Sequence, residues 1–209
     1  MARRAGSSRS RDMAQKGVPP SPYICRTIPY FDILDEGQIL RLEGQVDWIL
    51  QDVGIAFRDD STALELWRRE GATIEDDIVR APADWVRALC AKAPSEFIQL
   101  ARNRERSVVI GGNNQVFAPI YGAPFVRDLE GGRRYGDMKA FQDLVRLSYL
   151  HPNLHHGGFV TCEPCDVPVS KRHLDMLFAH MTLSDKPHLG AITEMSRAQD
   201  SVDMAEIVF

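Results

Sequence analysis

From Asp137 onward the sequence alternates between amphipathic helical stretches and short apolar stretches, with a period of about thirty residues. A helix is predicted from Asp137 to Leu150, with Phe141, Leu144 and Val145 facing inward. It leads to an apolar strand near Gly158–Thr161. A second helix is predicted from Val169 to Leu183, with Leu174, Leu177, Phe178 and Met181 inward, and leads to a strand near His188–Thr193. A third starts near Ser196 and is still running at Phe209. Antiparallel strands can be joined by two-residue turns, whereas parallel strands need a crossover of about this length. The pattern therefore predicts an α/β fold of βαβ units on a parallel sheet. Two or three units are visible, and a closed eight-fold barrel needs roughly 250 residues by itself. The chain ends on Glu206-Ile207-Val208-Phe209, apolar and without a helix stop signal, so a truncated barrel is the expectation.

The front of the chain reads differently. Residues 1–35 are rich in Arg, Ser, Pro and Gly and are expected to be irregular. Arg3, Arg4, Arg9, Arg11 and Lys16 face only Asp12 in the first sixteen residues, the composition of a disordered solubilising tail. Residues 36–105 read as mainly helical. One helix covers Gly37–Val53, with Ile39, Leu42, Val46, Ile49, Leu50 and Val53 at spacings of three and four, and Gly54 ends it. A shorter one begins at Ser61 as N-cap, buries Leu64 and Trp67 and stops at Gly71. A third follows Pro82 and places Trp85, Val86 and Leu89 on one face. From residue 106 the barrel part begins, opened by a β-hairpin in which Ser107–Ile110 and Gln115–Ile120 flank Gly111-Gly112-Asn113-Asn114.

Composition removes several function classes. The net charge is −4, which gives no general basis for binding nucleic acid or an anionic membrane. No apolar run approaches the roughly 18 residues of a membrane span, and the basic start is not followed by a secretory core. Four scattered cysteines, Cys25, Cys90, Cys162 and Cys165, suit a reducing cytoplasm better than a disulfide framework.

All six histidines lie between His151 and His188, and Cys162-Glu163-Pro164-Cys165 has the spacing zinc sites use. His155, His156, Cys162 and Cys165 would complete a four-ligand set. There is one such pair only, on a stretch whose alternation points neighbours to opposite faces, so buried reduced thiols are the preferred reading and no metal is expected. Glu163 and Glu194 follow the apolar stretches at their C-terminal ends, after Thr161 and Thr193. In a parallel barrel that edge is where sites are built, and a carboxylate there can hold a cationic substrate or a proton. The alternative is a loop carboxylate capping the next helix. Asp166 and Asp200 have the stronger capping case. The glycine pairs Gly111-Gly112, Gly131-Gly132 and Gly157-Gly158 lack the spacing of a dinucleotide loop and the lysine of a P-loop and read as turns. Arg133 and Arg134 beside the second pair would serve an anion or an exposed turn.

Several blocks in collinear order resemble the trimethylamine:corrinoid methyltransferase family. They are Gly122-Ala123-Pro124-Phe125-Val126-Arg127-Asp128 with Gly131-Gly132-Arg133-Arg134-Tyr135-Gly136, and the run from Pro152-Asn153-Leu154-His155-His156 to Cys162-Glu163-Pro164. Asp166-Val167-Pro168, Arg172-His173-Leu174-Asp175-Met176, Ser184-Asp185-Lys186-Pro187 and Ala198-Gln199-Asp200-Ser201-Val202 continue the series. The resemblance starts near residue 20 and implies the N-terminal portion of a (β/α)8 TIM-type barrel methyltransferase. Such an enzyme passes a methyl group from a methylated amine to the Co(I) of a separate corrinoid protein. It implies a corrinoid (cobalamin) carried by that partner and none bound by this chain, which lacks Asp-x-His-x-x-Gly. Members without pyrrolysine act on quaternary amines such as glycine betaine, the class favoured here over trimethylamine. Glu163, Glu194, Thr161 and Thr193 are the residues expected to bind substrate, and no catalytic residue is carried over. The 209-residue chain alone is expected to be inactive. The competing readings are a non-catalytic relic that binds a corrinoid protein or an amine, and a small zinc-binding domain.

Overall fold

A computed structural model describes residues 24–190 and 192–209, so the basic tail lies outside the described residues. The chain divides into two compact units, Ile28–Ser95 and Glu96–Phe209, the second taking in the residues up to Thr27.

β1 (Ile24–Cys25) belongs to the second unit. The first unit begins with α1 (Glu36–Trp48), which Asp35 opens by a reciprocal capping box. The Asp35 carboxylate accepts from the Gln38 N–H at 2.8 Å, and the Asp35 N–H donates to Gln38 Oε1 at 2.9 Å. Residues Ile49–Val53 extend the helix as one π-helical stretch, and Gly54 ends it with φ +83°. β2 (Ile55–Ala56) follows, then α2 (Ser61–Arg69), β3 (Thr73–Glu75), β4 (Ile78–Arg80) and α3 (Trp85–Cys90). The expected cap of α2, Ser61, is displaced by one residue. Asp60 takes the Ala63 N–H at 2.9 Å, because a carboxylate is the stronger acceptor for an orphan N–H.

The sheet β2–β4–β3 is antiparallel throughout, with Ile55 opposite Val79 and Ile74 opposite Val79 on the other side. A two-residue Asp76-Asp77 turn, Asp76 at φ 55°, closes β3 onto β4. Phe57, Trp67 and Trp85 form a chain of ring contacts at 5.6 Å each. Arg87 of α3 joins α1 through Glu43, at 2.6 Å, and through Asp47. Gly54 is the tightest point of this unit, since a Cβ there would lie 2.6 Å from Ile78 Cγ2 and 2.8 Å from the Val79 carbonyl. Gly54→Ala adds that overlap to a left-handed backbone. It is expected to cost about 2–4 kcal/mol in a urea melt followed by tryptophan fluorescence. A change below 0.5 kcal/mol would show that α1 is not held to the sheet as described.

The second unit continues with β5 (Glu96–Gln99), a 3₁₀ turn at Arg104–Arg106, β6 (Val108–Gly111), β7 (Asn114–Gln115), β8 (Phe125–Asp128) and β9 (Gly132–Tyr135). Then come α4 (Met138–Leu150), α5 (Val169–Leu183) and α6 (Met195–Val208). The hairpin expected across residues 111–114 is not formed: β6 pairs with β5, and β7 pairs with β1. The hairpin that does form is β8–β9, whose turn is held by the Asp128 carboxylate accepting from the Glu130 and Gly131 amides and pairing with Arg134. Arg133 lies over the Phe125 ring at 3.7 Å, so neither arginine is presented to an anion.

The three helices match the sequence reading closely, with Asp137 capping α4 through the Ala140 N–H at 2.7 Å. The strands expected between them do not form regular ladders, and every regular pair among the described residues is antiparallel. The architecture is mixed α/β, with no closed barrel among the described residues. Three segments nevertheless lie side by side in the parallel sense. Gly122 N–H donates to the Val160 carbonyl at 2.7 Å and Glu163 N–H to that of Ala123 at 2.9 Å. Gly157 N–H donates to the Pro187 carbonyl at 2.8 Å and Leu189 N–H to that of Gly158 at 3.0 Å. Each alignment holds two hydrogen bonds, and the second is interrupted by Gly158, at φ +84°, and by Pro187, which has no N–H.

The core of this unit is Phe141, Val145, Val160, Cys162, Met176 and Ala179. Phe178, expected inward, is 60% exposed. Leu177 and Met181 are buried as expected, and His173, Met176, Ala179 and His180 join them, so the buried face of α5 includes two histidines that the apolar pattern did not indicate.

Candidate functional site

The segment 157–163 carries two of the four expected site residues. Thr161 is buried, and its Oγ1 has no hydrogen-bond partner. Glu163 is partly exposed, and its Oε2 accepts from Arg172 Nη1 at 3.1 Å. Arg172, one turn into α5, also donates twice to the Val167 carbonyl, so it is fixed before it meets Glu163. Glu194 stands at the N-cap of α6 but makes no side-chain cap bond. Its Oε1 pairs with Arg197 Nε at 3.0 Å, and Arg197 also reaches the Val169 carbonyl at 3.4 Å. Thr193 is exposed. Both carboxylates are thus engaged by an arginine of the next helix. No hydrogen bond or ion pair among the described residues joins Glu163 to Glu194.

Asp166 does not cap α5, and Asp200 lies inside α6, in its second turn rather than at its cap. Asp166 Oδ1 accepts from the Met138 N–H at 2.8 Å, closing the start of α4 from a distance. Asp200 Oδ2 lies 2.7 Å from His173 Nε2, a link between α5 and α6.

A cavity of about 540 Å³ opens at the other end of the segment, between it and the β5–β6 hairpin. Phe97, Tyr121 and Phe159 supply aromatic walls, Tyr121 meeting Phe159 edge-on at 5.7 Å. Leu189, Gln99 and His156 contribute as well, and no lining residue carries a carboxylate, ammonium or guanidinium group. Gln99 spends its amide nitrogen on the His188 carbonyl at 3.0 Å. His156 accepts the Gly158 N–H on Nδ1 at 2.8 Å, so its proton sits on Nε2. Its size lies in the range of small-molecule sites, and its chemistry suits an apolar or weakly hydrated ligand.

His156 also belongs to a group of three neighbouring histidines, with His180 and His188. His180 and His188 stack with ring planes 1° apart and centroids at 5.2 Å, and His180 Nε2 donates to the Phe159 carbonyl at 2.9 Å. Burial holds His156 and His188 down at about 4, helped by the neighbouring His180, and lowers His180 itself. All three are neutral at pH 7. The sequence offered no sign of this beyond the clustering of histidines, which it shares with metal sites. Lys186 is buried beside them, with Nζ on the carbonyls of Ser148 (2.9 Å) and His151 (3.2 Å) at the end of α4; burial lowers it to about 8.

The zinc reading has no support in the geometry. Among the described residues no three histidine, cysteine or acidic side chains converge as metal ligands. Cys162 is fully buried and its thiol is pushed up to about 11 by burial and then by Asp137, while Cys165 is exposed. Labelling with a thiol reagent at pH 8 is expected to modify Cys25, Cys90 and Cys165 within minutes and Cys162 only after denaturation. Rapid labelling of all four thiols in the folded chain would contradict the core position of Cys162. No helix among the described residues is long and apolar enough to cross a membrane.

The trimethylamine methyltransferase (MTTB) family matches this chain over residues 2–209. The glycine betaine methyltransferase of Desulfitobacterium hafniense (strain Y51) is 39% identical over 182 residues. That match covers 87% of this chain and 38% of the relative, so the chain spans well under half of the relative's length.

Proposed function

Because the chain belongs to the trimethylamine methyltransferase family, we propose that it supplies the opening part of an enzyme that moves a methyl group from an N-methylated amine to a corrinoid protein. A quaternary amine such as glycine betaine is the preferred donor. The observation that carries this choice is the 39% identity with a glycine betaine methyltransferase across most of the chain. A quaternary nitrogen leaves as a neutral tertiary amine when the carbon–nitrogen bond breaks, with the bonding pair staying on nitrogen, so no acid is needed.

The parallel alignment of 122–123, 157–163 and 187–189, each pair separated by a helix, supports a (β/α)8 barrel as the architecture to which these segments contribute. Glu163 and Glu194 stand at the ends where a barrel builds its site. Their arginine partners make them fixed groups that orient a substrate. Thr161, with its unpartnered hydroxyl, and Thr193 stand beside them.

The corrinoid, when bound to its own protein, would supply the Co(I) that accepts the methyl group. This chain is not its carrier. The sequence lacks Asp-x-His-x-x-Gly, and the histidines His156 and His180 have ring nitrogens committed to backbone groups inside the unit. The chain alone is inactive in this reading, since it spans 38% of the relative.

The test is a chimera in which this chain replaces the matched segment of the D. hafniense protein. Incubated with a reduced corrinoid protein, it is expected to convert glycine betaine to dimethylglycine and to leave trimethylamine unchanged. A folded chimera that consumed trimethylamine only, or neither amine, would overturn the proposal.

A further inference from the structure

We infer that the aromatic cavity between the β5–β6 hairpin and residues 156–159 is a subsite for a quaternary ammonium head, selecting it against both a protonated tertiary amine and an uncharged isostere. The inference rests on the proposed amine substrate and goes beyond it, since the expected substrate residues Glu163, Glu194, Thr161 and Thr193 do not line this cavity.

The walls decide which cation can enter. Phe97, Tyr121 and Phe159 present aromatic surface, which attracts a positive charge electrostatically. No carboxylate faces inward, and Gln99 has its amide nitrogen engaged with the His188 carbonyl. A protonated amine would carry its N–H into a nearly apolar space with little to accept it, and a buried donor left unpaired is costly. A trimethylammonium group has no N–H, and its charge is spread over methyl groups that pack like a hydrocarbon. It is the one common cation whose desolvation this lining can offset. His156 completes the fit, because its neutral ring carries a proton on Nε2 and can donate to an oxygen elsewhere on the ligand. A methylated amino acid with its carboxylate one carbon away matches that pairing of an aromatic box with a neutral donor.

Equilibrium dialysis of the 209-residue chain at pH 7 against three radiolabelled ligands tests this. The ligands are glycine betaine, its carbon isostere 3,3-dimethylbutanoate, and dimethylglycine. Glycine betaine is expected to bind about threefold or more tightly than either of the others, the range cation–π attraction supplies at a partly exposed site. Tyr121→Leu is at an exposed position and should leave the far-UV spectrum unchanged while weakening betaine binding about threefold or more. Equal or tighter binding of the isostere would make the cavity a plain apolar hole and overturn the inference. So would undetectable betaine binding, or an unaltered affinity in Tyr121→Leu. Binding without methyl transfer in the chimera would sink the proposed function alone, and transfer without binding here would sink the subsite alone.

Discussion

Lowering the pH from 7 to 5 is expected to destabilise the unit containing residues 96–209 by about 2 kcal/mol for each of His156 and His188, and by up to about 4 for the pair. Both imidazoles are held at about 4 when folded, against 6.5 for the free group, chiefly by burial. Between those values the unfolded chain takes up protons that the folded chain refuses. Stability is therefore present in full above pH 6.5 and is lost progressively as the pH falls toward 4. The two sites interact through His180, so their effects need not add. Urea melts followed by far-UV circular dichroism at both pH values measure the loss. Tryptophan fluorescence is a useful contrast, because Trp48, Trp67 and Trp85 all lie in the unit Ile28–Ser95, which has no histidine. His188→Phe keeps a ring against His180 and should remove roughly half of the pH dependence. A stability unchanged between pH 7 and 5 would contradict the buried neutral cluster.

Phe141→Ala is expected to cost about 3–5 kcal/mol, a large share of what a domain of this size has. The ring is fully buried, lies edge-on to His180 at 5.4 Å, and packs with Val145, Val160, Cys162, Met176 and Ala179. It thus ties α4 to α5 and both to the segment 157–163. Removing it leaves a void beside the histidine stack, so the variant should also unfold at a higher pH than the parent. Phe141→Leu, which keeps most of the volume, should lose only about 1–1.5 kcal/mol. An alanine variant within 1 kcal/mol of the parent in a urea melt would mean that the core lies elsewhere.

The helices were legible because their signals are local. The 3.6-residue periodicity, Asp137 as a cap and Gly54 as a stop act within one or two turns, and the structure keeps all three. The short antiparallel pairs were not. β3–β4 turns on Asp76-Asp77 rather than on a glycine, and β5–β6 joins residues across a 3₁₀ turn, so neither has the usual hairpin signature. The apolar stretches 158–161 and 188–193 looked like strands because apolar runs and strands share a composition. Whether such a run forms a ladder depends on partners distant in sequence, and here on Gly158 at the start of the first run and Pro187 just before the second. At the site, the place of Glu163 and Glu194 after apolar stretches is a matter of sequence alone. Their arginine partners come from the following helix and were not apparent. The aromatic cavity draws on residues from Phe97 to Leu189, a span over which no local pattern carries information. The burial of His173 and His180 was not apparent for a related reason. A histidine is polar in composition but packs as a flat ring when one ring nitrogen finds a partner, as His180 Nε2 does on the Phe159 carbonyl.

The most direct test of the account follows the methyl group itself. A chimera carrying this chain in place of the matched part of the D. hafniense enzyme is given glycine betaine with deuterated N-methyl groups and a corrinoid protein reduced to Co(I). The account predicts one deuterated methyl on the corrinoid for every dimethylglycine released. A folded chimera that leaves the corrinoid unlabelled would contradict the methyltransferase reading of this chain.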